Sequence, residues 1–367
     1  RPCGEPTAES SRHASLNDQH GDHTHGDGDR IACEDTREQC ATHRRIIEGL
    51  SCSREGQPVA RVFVTGGTGF VGSHVVPALI QAGHSVVALV RTANAASAFR
   101  QRVGVSEAGL TTRIGDVTDP ATLTSGLEGC QAVVHLVALA RDWNNGKDLE
   151  RVNTGGTVNL IAAATAAGVT RFVQLGALGV EERADLHYAN SKARAERAVR
   201  ESSLDWTILK PSLIWGERDG FFNIVAALVK IPAPVVPVPG NGKSRFQPVW
   251  IGDVSRAIVQ VLGDPSTVRR SYELGGPRYW TYTEITQEVA RALGKRRAVV
   301  PMPVPLISLV AGASELIRLP FPVATDQLRQ LALDNIGATD AVEREFGFTP
   351  RDMGGRLGYL RRKVSAQ

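Results

Sequence analysis

Arg61-Val62-Phe63-Val64-Thr65-Gly66-Gly67-Thr68-Gly69-Phe70-Val71-Gly72 decides the fold. A short apolar run ends in a glycine cluster, and an apolar-periodic segment follows from Ser73 to Gln81. That order predicts a strand, a tight turn and a helix. Glycines let the backbone of the turn approach a pyrophosphate, and the helix N-terminus supplies N–H groups and a positive dipole end. In a βαβ unit this is a dinucleotide-binding loop. Two spacings fit it at once. Gly66, Gly69 and Gly72 give G-x-x-G-x-x-G, while Gly67, Gly69 and Gly72 give G-x-G-x-x-G. The bland alternative is a glycine-rich turn that binds nothing.

Outward from that turn, apolar runs alternate with helical patterns. Strands are expected at Val62–Val64, Ser85–Val90, Thr112–Val117, Ala132–Ala138, Arg171–Leu175 and Asp205–Leu209. Helices are expected over Gly69–Ala82, Ala95–Val103, Ala121–Leu127, Leu149–Ala167 and Asp185–Glu201. Strands apolar throughout, alternating with helices, predict a parallel sheet covered on both faces. Right-handed crossovers make it doubly wound, so the fold class is α/β with a doubly wound parallel sheet. After Pro211 the alternation breaks up. A strand leading into a helix is expected over Val249–Leu262, and helices over Thr283–Leu293, Leu306–Leu319, Ala324–Asn335 and Gly354–Lys363.

The domain organisation follows. Residues 1–58 are polar, with very few apolar residues, and read as a disordered leader. Residues 59–215 form the nucleotide-binding domain, with 247–265 returning to it, and 216–246 with 266–365 form a small α-rich lobe. In the leader, His20, His23, His25, Cys33, Cys40 and His43 fit no strong zinc spacing. Four of the five cysteines lie in the first 52 residues, which is not a disulfide framework. A net charge of +4 on 367 residues gives no case for nucleic acid. No run of about 18 uncharged apolar residues suggests a transmembrane helix. The expected location is the cytoplasm, or the inner face of a membrane as a peripheral protein. For such a surface, or for a protein partner, the apolar stretch 304–322 is the candidate; packing within the small lobe is the alternative.

Cofactor choice rests on the end of the second strand. An acid there would bond the ribose 2′-hydroxyl of NAD, and a basic residue suits the 2′-phosphate of NADP. Arg91 occupies it, with Thr92 next and no acid nearby, so NADP(H) is favoured over NAD(H). Asp116-Val117 ends the third strand, where the acid either meets the adenine or caps the turn before Pro120. His135, within the fourth strand, reads as a satisfied core histidine. Tyr188 and Lys192 stand at i and i+4 on one helix face. A lysine beside a tyrosine favours the phenolate and helps it trade a proton with a carbonyl or alcohol. Trp215 and Trp250 either line a cleft or fill the junction between lobes.

Taken together, Thr65–Gly72, Asp116, His135–Ala138, Asn153-x-x-Gly156-Thr157, Tyr188-x-x-x-Lys192, Lys210-Pro211-Ser212 and Pro248-Val249-x-x-x-Asp253-Val254 resemble the short-chain dehydrogenase/reductase superfamily, extended and atypical branch. The match runs from Ala60 to about Lys363, and it implies a Rossmann domain with a small C-terminal α-rich lobe over the nicotinamide end. Phe246–Val254, Val304–Leu319, the run Val323-Ala324-Thr325-Asp326-Gln327-Leu328 and Asp334-Asn335 are similar to the nucleotide-binding accessory subunit of respiratory complex I and its bacterial relatives, which are often named NAD-dependent epimerase/dehydratase proteins. The resemblance implies cofactor contacts at Gly66, Thr68, Gly69, Phe70, Val71, Gly72, Arg91, Asp116, Val117, Val137, Ala138, Tyr188, Lys192 and Pro211, with Tyr188 and Lys192 catalytic and no metal.

One position departs from the family. Its active members carry Ser or Thr after the fifth strand, where the hydroxyl polarises the substrate carbonyl. Here the chain reads Gln174-Leu175-Gly176-Ala177-Leu178-Gly179, so the hydroxyl is lost at Gly176 or Ala177. Removal of one such donor typically costs about 10²- to 10³-fold in rate. Two functions stay open. One is an accessory or redox-sensing nucleotide-binding protein with weak or no turnover. The other is an active NAD(P)-dependent reductase, epimerase or dehydratase on a carbonyl, nucleotide-sugar or quinone-related substrate.

Overall fold

Val62, Phe63 and Val64 in β1 (Arg61–Thr65) are all fully buried, although successive strand residues face opposite ways. A strand apolar on both sides needs a layer on each face. A computed structural model of the chain shows those layers; it describes residues 59–104, 109–142, 144–183, 185–303, 329–331 and 333–362. β1 is followed by β2 (Ser85–Val90), β3 (Leu110–Ile114), β4 (Ala132–His135), β5 (Arg171–Leu175), β6 (Asp205–Pro211) and β7 (Arg270–Leu274). All pair in parallel, in the order β7-β6-β5-β4-β1-β2-β3. The order reverses between β1 and β4, and in open α/β sheets the crevice at that reversal is where ligands bind.

Val62 and Val64 pack with Val75, Val76 and Leu79 of α1 (Gly72–Gln81), part of the apolar cluster on one face. Phe63 joins Val133, Phe172 and Ile208 in the cluster on the other. Each such fully buried side chain contributes about 1.5–3 kcal/mol. The remaining helices of the main unit are α2 (Ala93–Val103), the short α3 (Thr124–Leu127), α4 (Gly156–Ala166), α5 (His187–Glu201), α6 (Phe221–Lys230) and α7 (Ile251–Gly263). Beyond them come α8 (Tyr282–Ala292) and α9 (Ala341–Phe346). Thr281 caps α8 through a reciprocal capping box with Glu284.

Several boundaries differ from expectation, for physical reasons. β4 stops at His135, its fourth residue, where the chain through Leu136 and Val137 passes against Gly66 of the glycine turn. Before α4 the helix is wound as a π segment over Glu150–Gly155. The alternation pattern assigns 266–365 to the small lobe, but Arg270–Leu274 is the edge strand of the main sheet, paired with β6 from Thr207 to Pro211. Tyr272 and Leu274 bury against Val342 and Phe346 of α9, so that helix packs on the sheet too. A separate cluster joins Trp215, Phe222, Val225, Phe246, Trp280 and Ile285 with Met353 and Leu360. The helix expected over Ala324–Asn335 does not reach its end, since Asn335 makes a β-bridge with Phe246. Among the described residues, the basic segment after Gly354 holds only a 3₁₀ turn at Gly358–Arg361. Leader residues 1–58, with their histidines and cysteines, and the apolar stretch up to 328 lie outside the described residues. Among the described residues no helix is long and apolar enough to cross a membrane, and no group of His, Cys, Asp and Glu could hold a metal ion.

Candidate functional site

The glycine turn sits in the crevice where the strand order reverses. Gly66 follows β1 with φ of +75°, a left-handed conformation that favours glycine. A Cβ there would lie 2.9 Å from Leu136 C and Val137 N, the backbone leaving β4. Gly72 is more constrained. A Cβ on it would lie 2.3 Å from Gly66 O and 2.4 Å from Gly67 Cα. Gly69 donates its N–H to Gly66 O at 3.1 Å, and Ser73 donates to Gly69 O at 3.0 Å. Gly67 is different, because a methyl there would meet only Ala88 and Phe99 side chains at 3.5 Å. The frame that the packing requires is therefore Gly66-x-x-Gly69-x-x-Gly72. No side chain caps the start of α1. A cradle of backbone closed around Gly66 and Gly72, ahead of an uncapped helix start, fits a pyrophosphate.

Arg91 is exposed at the end of β2. Burial raises the Asp116 carboxyl, but bonds from the Thr118 N–H and hydroxyl, then the charges of Arg91 and Arg151, outweigh it and hold the acid below its ordinary value. Arg91 and Asp116 thus face one small region beyond β2 and β3. Asp116 Oδ1 accepts from Thr118 N at 2.8 Å, so it also closes the turn before Pro120. Val117 is buried against Gly156, with its Cγ2 2.7 Å from where a Cβ would stand. Two further arginines flank the turn. Arg102 Nη1 donates to Thr68 O at 3.2 Å. Burial, then the nearby Arg102 charge, holds Arg218 below its ordinary value, with Glu217 acting against them. Gly216, two residues before Arg218, packs near the Phe70 ring. Nothing in sequence separates Arg102 from an ordinary surface charge on α2.

His135 is a core residue. Its ring nitrogens bond the Thr65 and Thr157 hydroxyls at 2.5 and 3.0 Å. Burial, with the Lys192 charge, pushes it down to about 3, so it is neutral. The loop after it, which carries Val137 and Ala138, is tied by Asn153, whose side chain bonds Leu139 N and O at 2.7 and 3.0 Å. Asn153 Nδ2 also donates to Ser191 Oγ at 3.0 Å, and Thr154 Oγ1 donates to Ser191 O. The π segment thus turns adjacent side chains toward α5, which carries Tyr188 and Lys192.

Tyr188 is half-buried at the wall of a cavity of about 590 Å³, which Ala177, Pro211 and Ser212 also line. Lys192 is buried, and its Nζ donates to Leu175 O at 2.7 Å. Burial pushes Lys192 down to about 8, with the Glu196 charge acting the other way. Burial and then Glu196 push Tyr188 up to about 12, not down as a lysine-favoured phenolate would require. The second cause, after burial, is Glu196, itself buried, whose Oε1 accepts from Ala177 N at 3.3 Å and whose Oε2 lies 3.8 Å from Lys210 Nζ. Its negative charge offsets that of Lys192. The i,i+4 spacing of Lys192 and Glu196 is the sequence signal that finds it. Of the two positions that lack the family's hydroxyl, Ala177 faces the cavity. Gly176 is buried, with Glu196 Oε1 2.5 Å from where its Cβ would stand. Ser212 lies on the cavity wall but donates to Asn335 O at 2.9 Å. Trp215 and Trp250 pack together at the lobe junction, ring centroids 6.4 Å apart, and do not line the cavity.

Sheet order, turn and flanking charges together define a dinucleotide-binding protein. Sequence comparison agrees: a profile of NAD(P)H-binding proteins matches residues 66–227. Over 287 residues the chain is 26% identical to the mitochondrial NADH dehydrogenase [ubiquinone] 1 alpha subcomplex subunit 9 of Arabidopsis thaliana, covering 77% of this chain and 70% of that one. It is 31% identical over 258 residues to a ceramide reductase of Caulobacter vibrioides, covering 69% and 76%. The NADPH-dependent quinone oxidoreductase QOR2 of Escherichia coli, in complex with NADPH, shares the fold. Its TM-score is 0.65 at 20% identity, over 82% of this chain and all of that one. The chain belongs to the NAD(P)-binding short-chain dehydrogenase/reductase superfamily, in its epimerase/dehydratase-like branch. It binds NAD(P)H.

Proposed function

We propose that this chain holds NADP(H) and turns it over slowly or not at all, as a nucleotide-binding accessory protein of the complex I subunit type. The observation that carries this is Ala177. It stands on the cavity wall beside Tyr188 and, of the two positions to which the family resemblance assigns the hydroxyl, it is the one that faces the cavity. The raised Tyr188 and the Glu196 carboxylate behind it weigh the same way, because a phenol held near 12 gives up its proton poorly at neutral pH. The similarity to the Arabidopsis thaliana NADH dehydrogenase subunit supports a respiratory-complex partner. A peripheral site at the inner face of a membrane is consistent with that partner.

In this proposal Gly66, Thr68, Gly69, Phe70, Val71 and Gly72 hold the pyrophosphate, and Arg91 takes the ribose 2′-phosphate. Asp116 and Val117 border the adenine. Val137, Ala138, Tyr188, Lys192 and Pro211 border the nicotinamide end. The bound cofactor would supply hydride exchange. The 59–215 unit with 247–265 carries it, and of the lobe assigned to 216–246 and 266–365, Phe221, Phe246, Tyr282 and Asn335 line the cavity. The second function is an active reductase, which the Tyr188 and Lys192 pair and the 31% identity to a ceramide reductase favour.

The test is purification with identification of bound nucleotide, then hydride exchange in wild type and Tyr188→Phe. Retained NADPH with equal, near-zero exchange in both supports the accessory role. Exchange that Tyr188→Phe abolishes overturns it in favour of the enzyme. For cofactor choice, Arg91→Ala should weaken NADPH far more than NADH; equal effects would remove Arg91 from the site.

A further inference from the structure

The cavity beside Tyr188 is lined mainly by apolar side chains. Leu186, Leu213, Phe221, Ile224, Phe246 and Tyr282 form much of its wall. Three of these rings pack as one group, with Phe221 to Tyr282 at 5.7 Å, Phe246 to Tyr282 at 6.1 Å and Phe221 to Phe246 at 6.4 Å between centroids. About 590 Å³ falls within the range of small-molecule sites, about 300–1,000 Å³.

Among the described lining residues, charge at the cavity is confined to exposed side chains. Arg183 pairs with Asp185 at 3.0 Å, and Asp334 pairs with Arg245 at 2.6 Å. Arg141 and Glu181 are exposed and of opposite sign. A diphosphate inside would be held most strongly by enclosed arginines in bidentate geometry, or by a free helix start such as the one the glycine turn offers. The described lining residues include no buried Arg or Lys. Among the donors on the wall, Ser212 and Asn335 already bond within the protein, to Asn335 O and Leu178 O, and two more are neutral phenols. Tyr188 is one. Tyr282 is the other; burial raises it above its ordinary value, and its hydroxyl has no hydrogen-bond partner among the described residues.

We infer that this cavity binds an uncharged apolar carbonyl compound and not a nucleotide sugar. The inference rests on the proposed function, since it takes the cavity as the substrate end of the NADP(H) site. The apolar body would lie against Phe221, Ile224 and Phe246, and the carbonyl oxygen would accept from a tyrosine hydroxyl. A ring compound and a long-chain ketone share this chemistry.

The test uses the full chain saturated with NADPH, whose binding is followed separately by calorimetry. The probe is 6-propionyl-2-(dimethylamino)naphthalene, an uncharged aromatic ketone that emits further to the blue in apolar surroundings. Expected is a saturable blue shift that millimolar UDP-glucose does not reverse. Ile224→Trp and Ile224→Asp should each weaken the probe about tenfold or more while NADPH still binds. Displacement by 1,4-naphthoquinone identifies a ring-shaped ligand, and displacement by 2-undecanone a chain; either supports the inference. No blue shift, unchanged probe affinity in both variants, reversal by UDP-glucose, or displacement by neither ketone overturns it. Failure of NADPH to bind wild type would instead remove the underlying function.

Discussion

Gly72→Ala is the sharpest test of how the turn holds its ligand. The added methyl would stand 2.3 Å from Gly66 O, 2.4 Å from Gly67 Cα and 2.5 Å from Gly67 O. Those are backbone atoms with no rotamer to change, so turn and helix must separate by about 1 Å to reach ordinary contact. Overpacking of this kind costs about 1–3 kcal/mol. The strain falls on the backbone that faces the pyrophosphate. If relieved only by moving the turn, it appears as NADPH affinity weakened about 5- to 150-fold. Gly67→Ala is the internal control. Its methyl would meet Ala88 and Phe99 at 3.5 Å, an ordinary distance, so affinity should stay within about threefold of wild type. The assay is calorimetric titration of both variants with NADPH, beside thermal unfolding without ligand. Equal losses in both variants, or no loss in Gly72→Ala, would refute the assignment of the frame to Gly66, Gly69 and Gly72.

Ala177→Ser places a hydroxyl on the cavity wall beside Tyr188; with a ketone substrate it should raise hydride transfer about 10²-fold over wild type, read as NADPH oxidation at 340 nm. No gain would show that Ala177 is not what limits turnover. Arg171 donates to Asp205 O, Val261 O and the Thr207 and Thr267 hydroxyls, so Arg171→Leu should cost about 3 kcal/mol in urea unfolding, and a loss under about 0.5 would contradict that role. His135 is held at about 3 when folded but takes a proton near 6.5 when unfolded, so the stability it contributes is present above pH 6.5 and is lost as pH falls toward 3. Against wild type, His135→Gln should flatten that fall by up to about 1.4 kcal/mol per pH unit; Asp219 and Asp253, raised to about 6, titrate the opposite way but equally in both proteins, and parallel curves would exclude the histidine as the cause.

What was legible in sequence follows from which interactions are local. β2 has the expected bounds because a strand buried on both faces is close to continuously apolar, and β5 keeps its expected bounds although Gln174 is a buried polar residue within it. β7 was not legible as part of the sheet. Arg270-Ser271-Tyr272-Glu273-Leu274 alternates as an edge strand does, with only Tyr272 and Leu274 buried, and nothing local says which sheet it joins. Nor was the π segment, because apolar periodicity does not distinguish i→i+4 from i→i+5 winding over six residues. Its reason is tertiary: Asn153 and Thr154 must both reach Ser191.

The site divides along the same line. The glycine frame is a backbone requirement written in residue type, so it shows in sequence, and only the choice between Gly66 and Gly67 needed coordinates. Proton chemistry depends on charge summed over space. Tyr188 and Lys192 alone predict a phenol pulled toward phenolate. The fold adds Glu196 one turn further along α5, buried and within reach of Ala177 N, and turns Lys192 to the Leu175 carbonyl. One carboxylate then offsets the cation that the motif relies on. A tyrosine-lysine spacing thus identifies where a proton relay could stand. Whether that relay runs depends on the burial and charge around it, and here both hold the tyrosine protonated.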